Sequence, residues 1–458
     1  MTTPALVVVD LGSVYSRRMK IVPLLAFVAV SALSAQSDDS RSNAVDTYCS
    51  GCHTGRTRSA SGVLLERFDL AEVATKPDLW ARAYRQLQAG AMPPFGAPRP
   101  DSATLRQLLT SIERAQGVDA KPARRADCRK IAEVLAAMLW NGAPDSALRR
   151  DAANDRLTDR VVLERHVRRM LADDRSRAFI QRFFWPWLQL DALEKAEPDA
   201  KYFPGYQPSL RDSMAKETEL FLVSQLHEDR DPVALWTSPY TFVNEQLARH
   251  YGVSGVTGTQ FRRVSSPAER AGLLGHGSVL MATSRHQHGV DAAYTTPATR
   301  AKWVRLHFLG APLPNGFPGA EPVKPEWPIT PQTRTLPAQP CVNCHRDFFP
   351  LGYALEHFDP IGRWRERDEL GPVDASGVFI DGTPMDGVVQ MREALVRHAD
   401  AFRTTITEAL LGYASTGSSK LASGTPETLI RARRILRDAS TDRWSALIAA
   451  VAQASAEE

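Results

Sequence analysis

The chain has 458 residues, 43% of them apolar, with 56 lysines and arginines balanced by 52 aspartates and glutamates. That apolar content supports real hydrophobic cores, and the length suits roughly two to four domains. A net charge of +4 on so long a chain, with no basic stripe interleaved with aromatics, gives no case for nucleic-acid binding.

The N-terminus reads as an export signal. Arg17, Arg18 and Lys20 form a basic region, Ile21 to Leu33 an apolar one, and Ser31-Ala32-Leu33-Ser34-Ala35 a zone of small residues suited to cleavage. The apolar run is short for a membrane span. Residues 1–35 are assigned as a signal peptide, with Met19 as an alternative start and retention as an uncleaved anchor as an alternative fate. The expected location is the periplasm.

Ser37–Tyr48 reads as a polar helix leading into Cys49-Ser50-Gly51-Cys52-His53. Leu79–Ala89 reads as a second helix, with Leu79, Trp80, Ala83 and Leu87 on one face. Gly90 ends it, and Met92-Pro93-Pro94 follows as a rigid turn. Asp101 or Ser102 then suits the N-cap of a helix through Glu113 with a stripe of Leu105, Leu108, Leu109 and Ile112. From Cys128 to Leu309 the pattern is mostly helical, over Ile131–Trp140, Val161–Leu171, Ser176–Leu190 and Leu210–Glu228. Thr241-Phe242-Val243-Asn244 is expected to begin a helix running to about His250, and Phe261–Val264 to form a short strand. Residues 312–340 are proline-rich, which rules out helix and predicts a semi-rigid connector or surface strap. It ends at Cys341-Val342-Asn343-Cys344-His345. A turn at Phe379–Thr383, helices over Val388–Val396 and Ala399–Leu411, and a last helix over Pro426–Arg437 complete the chain.

Four of the five cysteines therefore fall in two Cys-x-x-Cys-His motifs. Two thiols at that spacing reach the two vinyl groups of one haem, and the adjoining histidine sits beneath the iron. A disulfide or a zinc site would also use paired cysteines, but neither requires a histidine directly after both pairs. Cys49, Cys52 and His53 are assigned to one covalent haem, and Cys341, Cys344 and His345 to a second. Met92, fixed by two prolines, is the expected sixth ligand of the first iron. Met385 in Thr383-Pro384-Met385-Asp386-Gly387 is the candidate for the second, with Met391, His357 or an open site as alternatives. Arg363-Trp364-Arg365 is a candidate for binding haem propionates. His286-Gln287-His288, Glu217 and Glu219 are read as outside any metal or acid/base site, Arg165–Arg169 as a solvated helix face, and Cys128 as a small buried apolar side chain.

Longer segments extend the pattern. Phe183-Phe184-Trp185-Pro186-Trp187-Leu188-Gln189-Leu190, Glu217-Thr218-Glu219-Leu220-Phe221 and Tyr240-Thr241-Phe242-Val243-Asn244-Glu245 lie in the first half. Gly272-Leu273-Leu274, Arg300-Ala301-Lys302-Trp303-Val304 and the run Pro350–Trp364 after the second motif lie in the second. With Gly90-Ala91-Met92-Pro93-Pro94, these resemble the planctomycete-type cytochrome c proteins, large exported bacterial proteins that combine domains of unknown function with haem motifs. The resemblance implies haem binding and electron transfer and supplies no substrate. The chain departs from the family at Gly117–Cys128, where a longer region is usual, and at His357, where asparagine is common; methionine at 385 is not required by the family.

These readings give a mainly α protein. Residues 36–118 are expected to form a cytochrome c-like haem domain, 128–311 a central helical domain, 312–340 a linker, and 341–458 a C-terminal haem c domain. The expected function is that of a di-haem c-type cytochrome carrying electrons outside the cytoplasmic membrane, between a redox partner protein or a quinone-linked chain. A di-haem peroxidase or haem-linked dehydrogenase with an open second iron is one alternative, and a mono-haem interaction scaffold is another.

Overall fold

A computed structural model describes residues 44–54, 63–65, 70–120, 126–284, 295, 297–313, 348–368, 371–419 and 424–457. Over these residues the fold is mainly α-helical, as the periodicity requires. The signal segment, His286–His288, the proline-rich stretch beyond residue 313 and the second haem motif lie outside the described residues.

The N-terminal unit opens with α1 (residues 44–48), followed by α2 (Leu70–Thr75), α3 (Pro77–Gln88) and α4 (Ser102–Ala115). Pro77 suits the first turn of α3, where an N–H is not needed. The Asp101 carboxylate accepts from the Thr104 N–H and starts α4, as its sequence position suggests. Val45, Leu65, Val73, Trp80, Tyr84, Leu87, Leu108 and Ile112 form one small cluster, closed by Leu429 from the far end of the chain.

The body begins with α5 (Cys128–Trp140), α6 (Ser146–Ala153) and α7 (Arg160–Leu171). Cys128 is buried, and Arg165, Arg168 and Arg169 lie on the exposed face of α7. The expected helix over Ser176–Leu190 is broken: Ile180–Phe184 widens into a π turn before Trp185–Trp187. Pro186 is the physical reason, because its ring excludes the carbonyl four residues earlier and it has no N–H to donate. The turn aims Phe179, Phe183, Phe184 and Trp187 inward as a stack, with Phe183 and Trp187 rings 5.9 Å apart.

Next come α8 (Pro208–His227), strand β1 (Tyr240–Val243), α9 (Glu245–Tyr251) and β2 (Arg262–Ser265). The expected helix start at Thr241 is wrong: β1 pairs antiparallel with β2, Thr241 opposite Val264. Its aromatic and β-branched residues suit a pleated surface, and the helix begins only after Asn244. Then follow α10 (Gly277–Ala282), α11 (Pro297–His307), α12 (residues 348–353), the hairpin β3 (Ser376–Val378) and β4 (Pro384–Asp386), α13 (Gly387–Arg397), α14 (Ala399–Thr416), α15 (Pro426–Asp438) and α16 (Trp444–Ser455). Phe379–Thr383 is the hairpin turn, as expected. Helix α16 lies beyond the expected last helix. It is apolar on nearly every face, so it shows no stripe, and it is buried against α5, α7 and α14.

One main hydrophobic cluster draws on residues from both sides of 312–340, from Ala89 and Ala91 to Ala456. Phe184 and Trp444, with ring centroids 5.4 Å apart, join its two ends. No helix among the described residues is long and apolar enough to cross a membrane.

Candidate haem site

The first motif follows α1 directly. The Cys49 N–H donates to the Val45 carbonyl (2.9 Å), closing the helix, and the Cys52 and His53 N–H groups donate to the Cys49 carbonyl (3.1 and 3.0 Å). This turn carries both sulfurs and the imidazole on one short arc. Among the described residues the cysteine thiols form no disulfide. Cys49 is half-buried against the small apolar cluster, and Cys52 is exposed. Burial, the Asp46 carboxylate and Cys52 push the Cys49 thiol up to about 11, so it is no ready thiolate nucleophile at neutral pH.

Residues 63–65 run alongside the motif. The Leu65 N–H donates to the His53 carbonyl (2.7 Å), and the Ser50 hydroxyl donates to the Leu65 carbonyl (3.1 Å). His53 Nδ1 lies 3.0 Å from the Val63 carbonyl. A carbonyl only accepts, so Nδ1 carries a proton, and in the neutral ring the lone pair is then on Nε2. A backbone acceptor on one ring nitrogen, orienting the other for a metal, is the usual support of an iron-bound histidine.

Met92 lies just after α3, where the Ala91 and Met92 N–H groups both donate to the Gln86 carbonyl (2.8 and 3.2 Å). Gly90 turns the chain with φ +69°, a conformation that costs glycine little. Met92 packs on the same apolar cluster as Cys49 and Val63. The residues fit a covalent haem: two thiols and an imidazole on one short turn, and a thioether that borders the same apolar cluster as Cys49.

The second set is divided. Cys341, Cys344 and His345 lie outside the described residues. Met385, in β4 opposite Gly377, is buried in the main cluster, as is Met391 on α13. His357 is half-buried, its Nδ1 bonded to the Arg365 carbonyl (2.8 Å) and its ring stacked on Trp364 at 4.7 Å. Arg365 is committed to the Glu356 carbonyl and carboxylate (2.9 and 3.2 Å), whereas Arg363 is exposed.

Sequence reasoning passed over a sealed polar cluster between α8, α9 and α10. Glu217 is 1% exposed and accepts from the Thr241 and Tyr251 hydroxyls, both at 2.6 Å. Burial pushes its carboxyl up to about 7, against the opposing pull of those hydroxyls and Arg270. The Tyr251 oxygen accepts from the Gly277 N–H (2.7 Å), and the buried Arg270 guanidinium stacks 3.8 Å over the Tyr251 ring. Helical spacing alone puts Glu217 on α8. Its partners are contributed by other elements, so nothing local announces the cluster. Among the described residues no group of three or more His, Cys, Asp or Glu side chains converges as a metal site.

Residues 127–253 match the family model PSD4, described as a protein of unknown function (DUF1592), and residues 270–368 match PSCyt3, described as a protein of unknown function (DUF1588). Both are domains of the planctomycete-type cytochrome c proteins, which points to a cytochrome-like role. Neither a curated protein nor a solved structure matches the chain.

Proposed function

We propose that this protein is an exported di-haem c-type cytochrome that passes electrons outside the cytoplasmic membrane, with a redox protein or a quinone-linked chain as its partner. The observation that carries the reading is the first motif: His53 is held as the Nδ1–H tautomer by Val63, and Cys49 and Met92 border one apolar cluster. The two family matches support it, because one covers residues 127–253 between the motifs and the other, 270–368, runs across the second motif.

In this reading Cys49 and Cys52 would hold the first haem, with His53 and Met92 as ligands to its iron; Cys341, Cys344 and His345 would hold the second, with Met385 as the candidate further ligand. A c-type haem would supply a one-electron iron centre, and a methionine and histidine ligand pair suits electron transfer over oxygen or peroxide chemistry. The chain's own part is to orient His53 through Val63 and to keep water from the apolar side of the site through Trp80, Leu87 and Leu108.

The test is a pyridine haemochrome assay with heat-stable covalent haem staining, on protein matured in a host competent for c-type haem. The reduced protein is then exposed to carbon monoxide. Two covalent haems and no carbon monoxide shift are expected. One shifting haem would favour the peroxidase or dehydrogenase reading, one haem per chain the scaffold reading, and no covalent haem would sink all three.

A further inference from the structure

The loop that carries Met92 belongs to two cores at once. Ala89 and Ala91 are buried in the main cluster of the body, while Met92 packs on the small cluster of the N-terminal unit. Three contacts fix it from the body side. Gly90 lies against the Asp381–His398 pair (Nε2 to Oδ2, 3.1 Å); a Cβ there would stand 2.8 Å from the His398 ring. Arg99 donates from one guanidinium nitrogen to the Gly90 carbonyl (2.9 Å) and from the other to the Ile380 carbonyl (3.0 Å), tying the loop to the β3–β4 turn. Gln86, whose carbonyl holds the Ala91 and Met92 N–H groups, is itself held by Arg305 (3.0 Å) and by the Pro312 carbonyl (3.3 Å).

His398 is placed by the junction of α13 and α14, and its ring also meets Phe379 at 5.5 Å. Asp381 sits in the hairpin turn, where its carboxylate accepts from the Thr383 N–H (2.9 Å). Asp381 and His398 therefore lie outside the unit that they serve, and Arg99 reaches from within it to the Ile380 carbonyl.

We propose that Arg99, Asp381 and His398 are positioning residues for Met92, so that sixth-ligand binding at the first haem depends on docking of the N-terminal unit against the body. The proposal rests on Met92 being that ligand. A methionine on a loop held only by its own small unit would exchange with solvent or small ligands more readily. Here release of the thioether requires breaking contacts to α11, the β3–β4 turn and the α13–α14 junction.

The full chain, loaded with haem, is compared with Arg99→Ala, His398→Ala, Arg99→Lys and Met92→Ala. Three readouts are taken: the carbon monoxide spectrum of the reduced protein, the methionine-to-iron charge-transfer band of the oxidised protein, and the midpoint potential of the first haem. Loss of a charge-assisted hydrogen bond is expected to shift the bound-to-released methionine equilibrium about tenfold in Arg99→Ala. Its charge-transfer band should weaken, its carbon monoxide binding should rise and its potential should fall, with thermal unfolding little changed. His398→Ala should move the same readouts in the same direction, and Arg99→Lys should recover part of the loss. If Met92→Ala opens the iron while Arg99→Ala and His398→Ala behave as the parent, the positioning role is overturned and the ligand assignment stands. If Met92→Ala leaves all three readouts unchanged, the ligand assignment itself fails.

Discussion

The N-terminal unit (residues 44–118) and the body (from residue 126) are both helical, yet they close their interiors differently. In the first, the apolar cluster is small, borrows Leu429 from α15, and has Cys49 and Met92 at its partly exposed border. In the body, Phe179, Phe183, Phe184, Trp187 and Trp444 stack into a continuous buried chain, and polar side chains such as Glu217 are sealed inside with partners. Small units bury too little surface to be secure alone and usually need a staple. The N-terminal unit carries two: a candidate covalent prosthetic group at one border and a docking face at the other. The body relies on packing.

Removing the first staple should give the largest effect. In Cys49→Ala/Cys52→Ala the covalent haem stain at the first site is lost, and the N-terminal unit unfolds well before the body. A thermal melt followed by far-UV circular dichroism should then split into two steps. A single transition at the parental temperature would show that the unit needs no prosthetic group, and would erase the contrast.

The second staple comes next. Arg85 of α3 pairs with Glu408 of α14 at 2.6 Å, with side chains 9% and 6% exposed, and also donates to the Gly424 carbonyl (2.7 Å). Arg85→Ala strands a buried carboxylate, which costs about 3–5 kcal/mol. Replacing both partners by apolar residues of similar volume should restore most of that loss, since a buried pair adds little over good packing. Urea denaturation of the two variants checks both statements. Equal destabilisation by both would mean that the pair contributes net stability.

Sealing of polar groups inside the body has its own signature. The Glu217 carboxyl is raised from 4.5 to about 7 by burial, so the folded state holds its proton more tightly than the unfolded chain does. Its contribution is therefore fully present below about pH 4.5 and is lost as pH rises towards 7, by up to a few kcal/mol. Glu217→Gln keeps the size of the side chain and an acceptor oxygen for one of the two hydroxyls, turns an amide N–H to the other, and has no proton to lose. The stability difference between parent and variant should move against the parent across that window and level off above it. Parallel pH profiles would mean that the carboxyl stays charged inside the cluster, stabilised by Arg270.

What could be read from the sequence follows the same division. The motif at Cys49–His53, the helix stripe ending at Ile112 and the Asp101 cap are local patterns, and α3 and α4 lie within a few residues of their expected bounds. The features that join the units are not local. Arg85 and Glu408 are 323 residues apart, and neither residue type nor spacing announces the pair. Helix α16 escaped because uniform apolarity has no period, and the π turn at Ile180–Phe184 because a helix with a proline in it keeps the helical pattern of its neighbours.

The smallest effect concerns the misread boundary at the end of β1. Thr241, Phe242 and Val243 were expected in the helix, yet their pairing with β2 keeps them extended, and the helix cannot start until the chain leaves the ladder. Asn244 makes that change: its backbone is extended (φ −95°, ψ 178°), and its side-chain oxygen accepts from the Leu247 N–H at 2.9 Å. The amide nitrogen donates to the Ser213 hydroxyl on α8 (3.1 Å), so the same residue caps α9 and ties it to the helix that carries Glu217. Asn244→Ala should cost about 1 kcal/mol through the lost cap. Asn244→Asp keeps the acceptor but loses the donor to Ser213, so it should fall between parent and alanine in chemical denaturation. If aspartate matches the parent, the cap alone sets the boundary; if it matches alanine, the tie to α8 does, and β1 owes its place to tertiary packing.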